Sequence, residues 1–323
     1  MPVIAKSTYK PPMFCSNTHI QTIVPTLFRK IPDVTYRRER IDTPDGDFID
    51  LDWSKVGSKR LAIVLHGLEG NSTRSYMMGM VRALNRGVWD ALAVNFRGCG
   101  GEPNRRLQMY HSGETGDLQT IIRHVSGNDN YSALALVGSS LGGNVILKYL
   151  GEQNFNTPSI IKAAVTISVP CDLKSSSDRI SEFSNYLYLK RFLKMLHEKM
   201  KAKALMAPEK ISLRDYDKIS TLKEFDDRYT APLHGFKDAY DYYEKSSCRP
   251  FLGNIKIPTL LINASDDPFL APSCYPYEEA KANPNLFLEV PEHGGHVGFM
   301  SFGNNGEYWS ETRTVAFLNQ LDY

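Results

Sequence analysis

An apolar run, Leu134-Ala135-Leu136-Val137, ends in Gly138-Ser139-Ser140-Leu141-Gly142 and passes into a helical pattern. A strand that turns into a helix this abruptly pushes the residue at the tip into a strained backbone conformation. Side chains two before and two after the tip would strike neighbouring elements, so both positions are glycine. Ser140 then stands at the carboxyl end of a strand. The N–H of Leu141, at the helix N-terminus, points where an oxyanion can form. Gly-x-Ser-x-Gly also arises in ordinary strand-to-helix turns. It carries chemistry only if an acid and a histidine follow in the right places.

Apolar runs on both sides of this stretch place it in a larger pattern. Residues 61–65, 91–96, 160–169, 257–264 and 286–290 read as further strands, several of them buried on both faces. Residues 77–84, 117–125, 145–150, 273–282 and 307–321 read as helices. Strands that alternate with helices predict right-handed crossovers, and so an α/β fold with a mostly parallel central sheet flanked by helices. Residues 34–41 and 48–53 flank Pro44-Asp45-Gly46-Asp47 and predict a hairpin. Residues 1–30 carry Pro2, Pro11, Pro12 and Pro25 with little periodicity, and read as an ordered arm. Between about residues 175 and 250 the alternation breaks into helical, charged, tyrosine-rich text. This predicts a helical cap inserted into a single domain spanning residues 1–323. The cap would lie over the carboxyl ends of the strands, where open α/β sheets bind ligands. A chain of 323 residues, 42% of them hydrophobic, can bury a core of that size.

The residues after the later strands complete the chemistry. Residues 260–264 run into Ser265-Asp266-Asp267-Pro268, and the last strand runs into Glu292-His293-Gly294-Gly295-His296. The chain order is Ser, acid, His, as in an α/β-hydrolase, and each candidate follows a predicted strand. His296 would take the proton from Ser140, while a carboxylate holds the imidazole tautomer and stabilises the imidazolium. His296 is preferred to His293 because His-Val-Gly-Phe leads toward the final helix. Asp267 is preferred to Asp266 as the Asp-Pro residue after the strand. His66-Gly67-Leu68, after an earlier strand, would bring a second backbone donor, the Leu68 N–H, to the oxyanion hole.

Other function classes find little support. A formal net charge of +2 is too small for a nucleic-acid surface. Cys15, Cys99, Cys171, Cys248 and Cys274 are scattered and odd in number, which argues against a disulfide framework or a structural zinc site and fits a reducing compartment. No nucleotide-binding or metalloprotease motif occurs, so no cofactor and no metal are expected. The first residues lack the apolar core of a signal peptide, and no apolar run is long enough to span a bilayer, so a cytoplasmic protein is expected. His124 and Asp129 match a His-x4-Asp spacing found in some acyltransferases, but they fall where a helix ends and read as coincidence. His111 and Asp117 are one residue too far apart for that spacing.

The segments Asn17 to Thr22, Asn95 to Glu102, His111 to Leu118, Gly138 to Asn144, Glu224 to Asp227, Tyr242-Tyr243, Asn263 to Phe269 and Gly294 to Phe299 together resemble the YheT-like α/β hydrolases, the AB hydrolase 4 family. Its eukaryotic members include α/β-hydrolase-domain lipases and yeast medium-chain ester synthases/esterases. The resemblance implies a triad of Ser140, Asp266 or Asp267, and His296. It implies hydrolysis of carboxylic esters, with acyl transfer to alcohols in some members, and leaves the natural substrate open. The expected function is a serine esterase or lipase-like hydrolase of short- to medium-chain acyl esters. Within the cap, Leu189, Phe192, Leu193, Leu196 and Met200 recur at helical spacing, with Lys190, Arg191, Lys194, Lys199, Lys201 and Lys203 mostly on the remaining face. Such a helix could rest on an anionic membrane surface while an acyl chain enters beneath it.

Overall fold

The computed structural model describes residues 2–127, 131–302 and 306–320. Nine strands form one sheet: β1 (Val3–Ile4), β2 (Arg37–Asp42), β3 (Phe48–Ser54), β4 (Arg60–Leu65), β5 (Asp90–Asn95), β6 (Ala133–Ser139), β7 (Ile161–Ile167), β8 (Thr259–Ile262) and β9 (Leu286–Glu289). Their order across the sheet is β1-β9-β8-β7-β6-β4-β5-β3-β2. β2 and β3 form the hairpin, and β3 runs antiparallel to β5; all other pairings are parallel.

The helices are α1 (Thr18–Phe28), α2 (Ser75–Arg86), α3 (Gly116–Ser126), α4 (Leu141–Gln153), α5 (Leu173–Ile180), α6 (Tyr186–Met206), α7 (Leu222–Phe225), α8 (Ala231–His234), α9 (Ala239–Ser246), α10 (Tyr277–Ala282) and α11 (Trp309–Asn319). Alternate residues of a strand face opposite sides of the sheet. Leu61, Ile63, Leu134 and Leu136 therefore pack with Leu118, Ile121 and Val145 of α3 and α4. Ala62, Val64, Ala135 and Val137, between them in sequence, pack with Met77, Val81, Leu84 and Phe317 of α2 and α11. Both faces are covered, which is why these strands read as unbroken apolar runs.

Register sets up the site. Leu65 pairs with Gly138, Ser139 with Ile167, Ile167 with Ile262, and Ile262 with Glu289. The carboxyl ends of β4, β6, β7, β8 and β9 thus lie in one row, and the loops that follow leave from one edge. α5 to α9 fall between β7 and β8, in the stretch read as an insertion.

Three local expectations needed revision. The arm contains a regular helix, α1, capped by the Asn17 side chain on the His19 and Ile20 N–H groups, and β1 joins the sheet edge beside β9. The helix expected over 273–282 is divided into a short 3₁₀ turn, Pro272–Cys274, and α10. Pro276, inside the expected span, has no N–H to give an α-helical ladder. The third concerns the lysines of α6. Lys190, Arg191, Lys194 and Lys201 are exposed, but Lys199 and Lys203 are interior. Lys203 Nζ donates to the backbone oxygens of Asn104 at 2.8 Å and Arg106 at 2.5 Å. Lys203 lies seven residues after Leu196 and three after Met200, on the same side of α6, and its long stem lets the ammonium reach these carbonyls. Leu321 and Asp129 lie outside the described residues. All five cysteines are free. No helix among the described residues is long and apolar enough to cross a membrane.

Candidate active site

Ser140 sits between β6 and α4 with φ +52° and ψ −120°, a combination that residues with side chains seldom adopt. The crowding explains its flanking glycines. A Cβ on Gly138 would lie 2.6 Å from the Gly142 carbonyl oxygen, and one on Gly142 would lie 2.6 Å from those of Leu65 and His66. Asn144, one turn into α4, ties this elbow to its surroundings. Its amide donates to the Ser112 and Ser246 carbonyls at 2.8 Å and accepts the Cys248 N–H at 2.9 Å.

The candidate residues converge. His296 Nε2 lies 3.0 Å from Ser140 Oγ, and His296 Nδ1 lies 2.9 and 3.1 Å from the two oxygens of Asp267. Asp267 is buried, and its Oδ1 also accepts the Phe269 N–H at 2.9 Å. This arrangement suits an imidazole that donates from Nδ1 and accepts at Nε2. The two residues weighed as alternatives form a second, looser pair beside it: His293 Nδ1 is 3.5 Å from Asp266 Oδ2. Asp266 Oδ1 accepts the Gly295 N–H at 2.9 Å, so it touches the histidine loop but not the His296 ring.

Several residues that support this loop were not assigned a role from sequence. Thr22 Oγ1, on α1, accepts the His296 N–H at 2.9 Å, and Thr18 Oγ1 donates to the Asp266 carbonyl at 2.7 Å. Gln21, fully buried, accepts the Met300 N–H at 2.8 Å. Ser168 Oγ, just past β7, accepts the Val297 N–H at 2.9 Å. The only sequence signal was the Asn17 to Thr22 segment, which stood out through the family resemblance rather than through any chemistry of its own.

The loop after β4 supplies the facing wall. Its Gly67 N–H donates to the Tyr76 hydroxyl at 2.9 Å, and its Glu69 N–H to the Tyr110 hydroxyl at 2.8 Å. Among the described residues, the N–H groups of Leu68 and Leu141 enter no hydrogen bond. Both residues line the same cavity as Ser140. Buried His66 holds the loop from beneath: Nδ1 bonds the Gly67 carbonyl at 2.7 Å, and Nε2 accepts the Phe96 N–H. Burial pulls its pKa down to about 3, so the ring is neutral and fits this donor–acceptor pattern.

The cavity measures about 410 Å³, within the range of roughly 300–1,000 Å³ usual for small-molecule sites. Its floor holds Ser140 and His296; its walls include Leu173, Phe192, Leu196 and Phe225 from α5, α6 and α7. A polar cluster lies in the same wall. Asp226 accepts from Thr230 Oγ1 at 2.6 Å and Tyr243 OH at 2.7 Å, and burial raises its pKa to about 6. Among the described residues no cluster of His, Cys, Asp and Glu could hold a metal ion. His124 of the His-x4-Asp match and Asp117 of the longer spacing are each engaged elsewhere. Arg97 holds Asp117 through two bonds of 2.6 and 2.7 Å, and His124 Nε2 lies 3.0 Å from Glu39.

Comparison with known proteins gives the family. A family model described as the alpha/beta hydrolase fold matches residues 63–302. The YheT protein of Escherichia coli (strain K12), provisionally named an esterase, is 37% identical over 94% of this chain and 90% of its own length. Phospholipase ABHD3 of Mus musculus is 32% identical over 93% of this chain and 74% of its own length. Among solved structures, the Pyrococcus furiosus esterase Pf2001 superposes with a TM-score of 0.61 over 90% of this chain and 96% of that one. At 20% identity this likeness speaks for the fold alone.

Proposed function

The chain belongs to the α/β-hydrolase fold family, among its YheT-like members, and from that premise we propose that it is a serine hydrolase of carboxylic esters. The observation that carries the reading is the chain of contacts from Asp267 through His296 to Ser140, at 2.9 and 3.0 Å, beneath two unengaged backbone donors.

In the proposed cycle, Ser140 Oγ attacks the ester carbonyl while His296 Nε2 takes its proton. The Leu68 and Leu141 N–H groups stabilise the oxyanion. Asp267 holds the Nδ1–H tautomer and balances the imidazolium charge. His296 then protonates the departing alkoxide, which leaves as the alcohol with Ser140 acylated. Water, deprotonated by the same imidazole, attacks the acyl carbonyl; the bond to Ser140 Oγ then breaks, His296 returns the proton to Ser140, and the carboxylic acid leaves. No cofactor or metal enters these steps. The inserted helices, α5 to α9, act as a cap whose apolar side chains receive a short- to medium-chain acyl group.

A second acceptor is compatible with the same intermediate. The nucleophile opens into a cavity with largely apolar walls, and exclusion of water there would favour an alcohol acceptor and ester synthesis. The test is hydrolysis of a soluble ester series of graded acyl length by the native protein and Ser140→Ala, with and without added ethanol. Acyl-dependent turnover that Ser140→Ala loses supports the hydrolase. Ethyl esters among the products identify acyl transfer, and equal turnover by both proteins refutes the reading. The reading includes contact with an anionic membrane through exposed Lys190, Arg191, Lys194 and Lys201, with Leu187 74% exposed at the start of the same helix.

A further inference from the structure

Lys199 lies in the middle of α6, two turns from the cavity wall at Phe192 and one from Leu196. Its ammonium turns inward. Nζ lies 2.8 Å from Glu69 Oε1 and 2.9 Å from Cys99 Sγ, and 4.5 Å from the centre of the Tyr110 ring. The pair is largely removed from water, with side-chain exposures of 12% for Lys199 and 7% for Glu69. Burial pushes the Cys99 thiol up to about 11, so the sulfur stays protonated and adds no second negative charge.

Glu69 occupies a particular place. It follows Leu68, one of the two proposed oxyanion donors, and its backbone is left-handed at φ +53°, uncommon for a residue with a side chain. Three ties hold it there. Its N–H donates to the Tyr110 hydroxyl at 2.8 Å, and that hydroxyl donates back to Glu69 Oε1 at 2.7 Å. Its carbonyl accepts Arg74 Nη2 at 3.1 Å. Its carboxylate is anchored by Lys199. Of these ties, only the last comes from the inserted helices; Arg74 and Tyr110 belong to segments that precede β6.

We infer that the Glu69–Lys199 ion pair is a positioning device: it fixes the left-handed turn at Glu69 from the cap side, and so aims the Leu68 N–H at the developing oxyanion. Lys199 touches no reacting atom. It acts through Glu69 on the peptide that donates, and through the Tyr110 ring on the hydroxyl that receives the Glu69 N–H. The same helix presents Phe192 and Leu196 to the acyl cavity, so acyl binding and oxyanion geometry share one support. A lysine that the sequence groups with the other charges of α6 is thereby assigned a positioning role.

This inference rests on the ester-hydrolase reading, and the experiment separates the two. Esterase kinetics are measured on a soluble ester for the native protein, Lys199→Met, Lys199→Arg and the double variant Glu69→Leu/Lys199→Met, with thermal melts of each. Removing one partner strands a buried charge and destabilises the fold, whereas replacing both with apolar residues is often neutral. The double variant therefore separates folding from positioning. Loss of a whole oxyanion donor costs about 10²–10³ in kcat; a misaimed one should cost about 10- to 100-fold. The expected result is that fall in kcat for both Lys199→Met and the double variant, with KM within about twofold. Lys199→Arg should retain most of the rate, and the double variant should melt near the native temperature. Affinity for a trifluoromethyl ketone, which needs the oxyanion donors, should fall by the same factor as kcat/KM. If the double variant recovers native kcat along with native stability, the pair is structural and the inference is overturned. If the native protein itself hydrolyses no ester, the hydrolase reading has failed first.

Discussion

Asp267 and Asp266 are adjacent in sequence and differ sharply in what they touch, so exchanging each for asparagine separates two roles. Asp267 is buried and directs both oxygens at His296 Nδ1, at 2.9 and 3.1 Å. An amide there can place an N–H against Nδ1 and favour the wrong tautomer, leaving Nε2 protonated and unable to accept from Ser140. That loss is worth about 10⁴ in kcat, or about 5 kcal/mol at 1.36 kcal/mol per decade. Asp266 accepts one backbone N–H, from Gly295, and faces His293 at 3.5 Å. Asparagine keeps an acceptor for that N–H, so the loss should be near one ordinary hydrogen bond, about 1 kcal/mol, and no more than about tenfold in rate. The assay is steady-state hydrolysis of a soluble ester by both variants, with circular dichroism to show that each is folded. An Asp266→Asn protein as crippled as Asp267→Asn, or an Asp267→Asn protein within about tenfold of native, would refute the assignment.

Other outcomes follow from the same structure. Gly142→Ala puts a Cβ 2.6 Å from two backbone carbonyl oxygens and should destabilise by about 1–3 kcal/mol, as overpacking does, read by urea unfolding. Asp226 bears on pH dependence. Burial raises its folded pKa from 3.8 to about 6, so between those pH values the native state holds a proton that the unfolded chain has released. Its contribution to stability is complete below pH 3.8 and lost as pH rises through about 6, for a cost of about 3 kcal/mol at 1.36 per pH unit. Asp226→Asn should remove that loss, so its stability relative to native should grow between pH 4 and 7; a constant difference would contradict the shift. Finally, Lys190, Lys194 and Lys201 changed together to Gln should weaken binding to anionic vesicles at low salt and leave soluble-ester hydrolysis intact. Vesicles that never bind the native protein would end the membrane proposal.

Much of this architecture was legible because one physical rule served many residues. Runs such as 61–65 and 134–137 are apolar throughout because each face of the sheet carries helices, and the loops that leave their carboxyl ends hold the candidate residues. Ser140 was legible because Gly138 and Gly142 have no room for a Cβ. Part of what escaped had no periodic signature. α1 carries Pro25 and few apolar repeats, yet its Thr22 and Gln21 support the His296 loop through single hydrogen bonds to distant backbone. Lys199 and Lys203 fall on the side of the helix that carries Phe192, Leu196 and Met200, but only their tertiary partners, Glu69 and the carbonyls of Asn104 and Arg106, show what a charge does there. Asp266 and Asp267 could be ranked from sequence, but not the fact that Asp266 turns to His293.

The central claim is that Ser140 is a nucleophile activated by His296. It is tested most directly by treating the native protein with a fluorophosphonate and mapping the adduct by peptide mass spectrometry. The account predicts a single adduct on Ser140, none in Ser140→Ala, and labelling slowed by orders of magnitude in His296→Ala. An adduct on another residue, or native-rate labelling of His296→Ala, would contradict it.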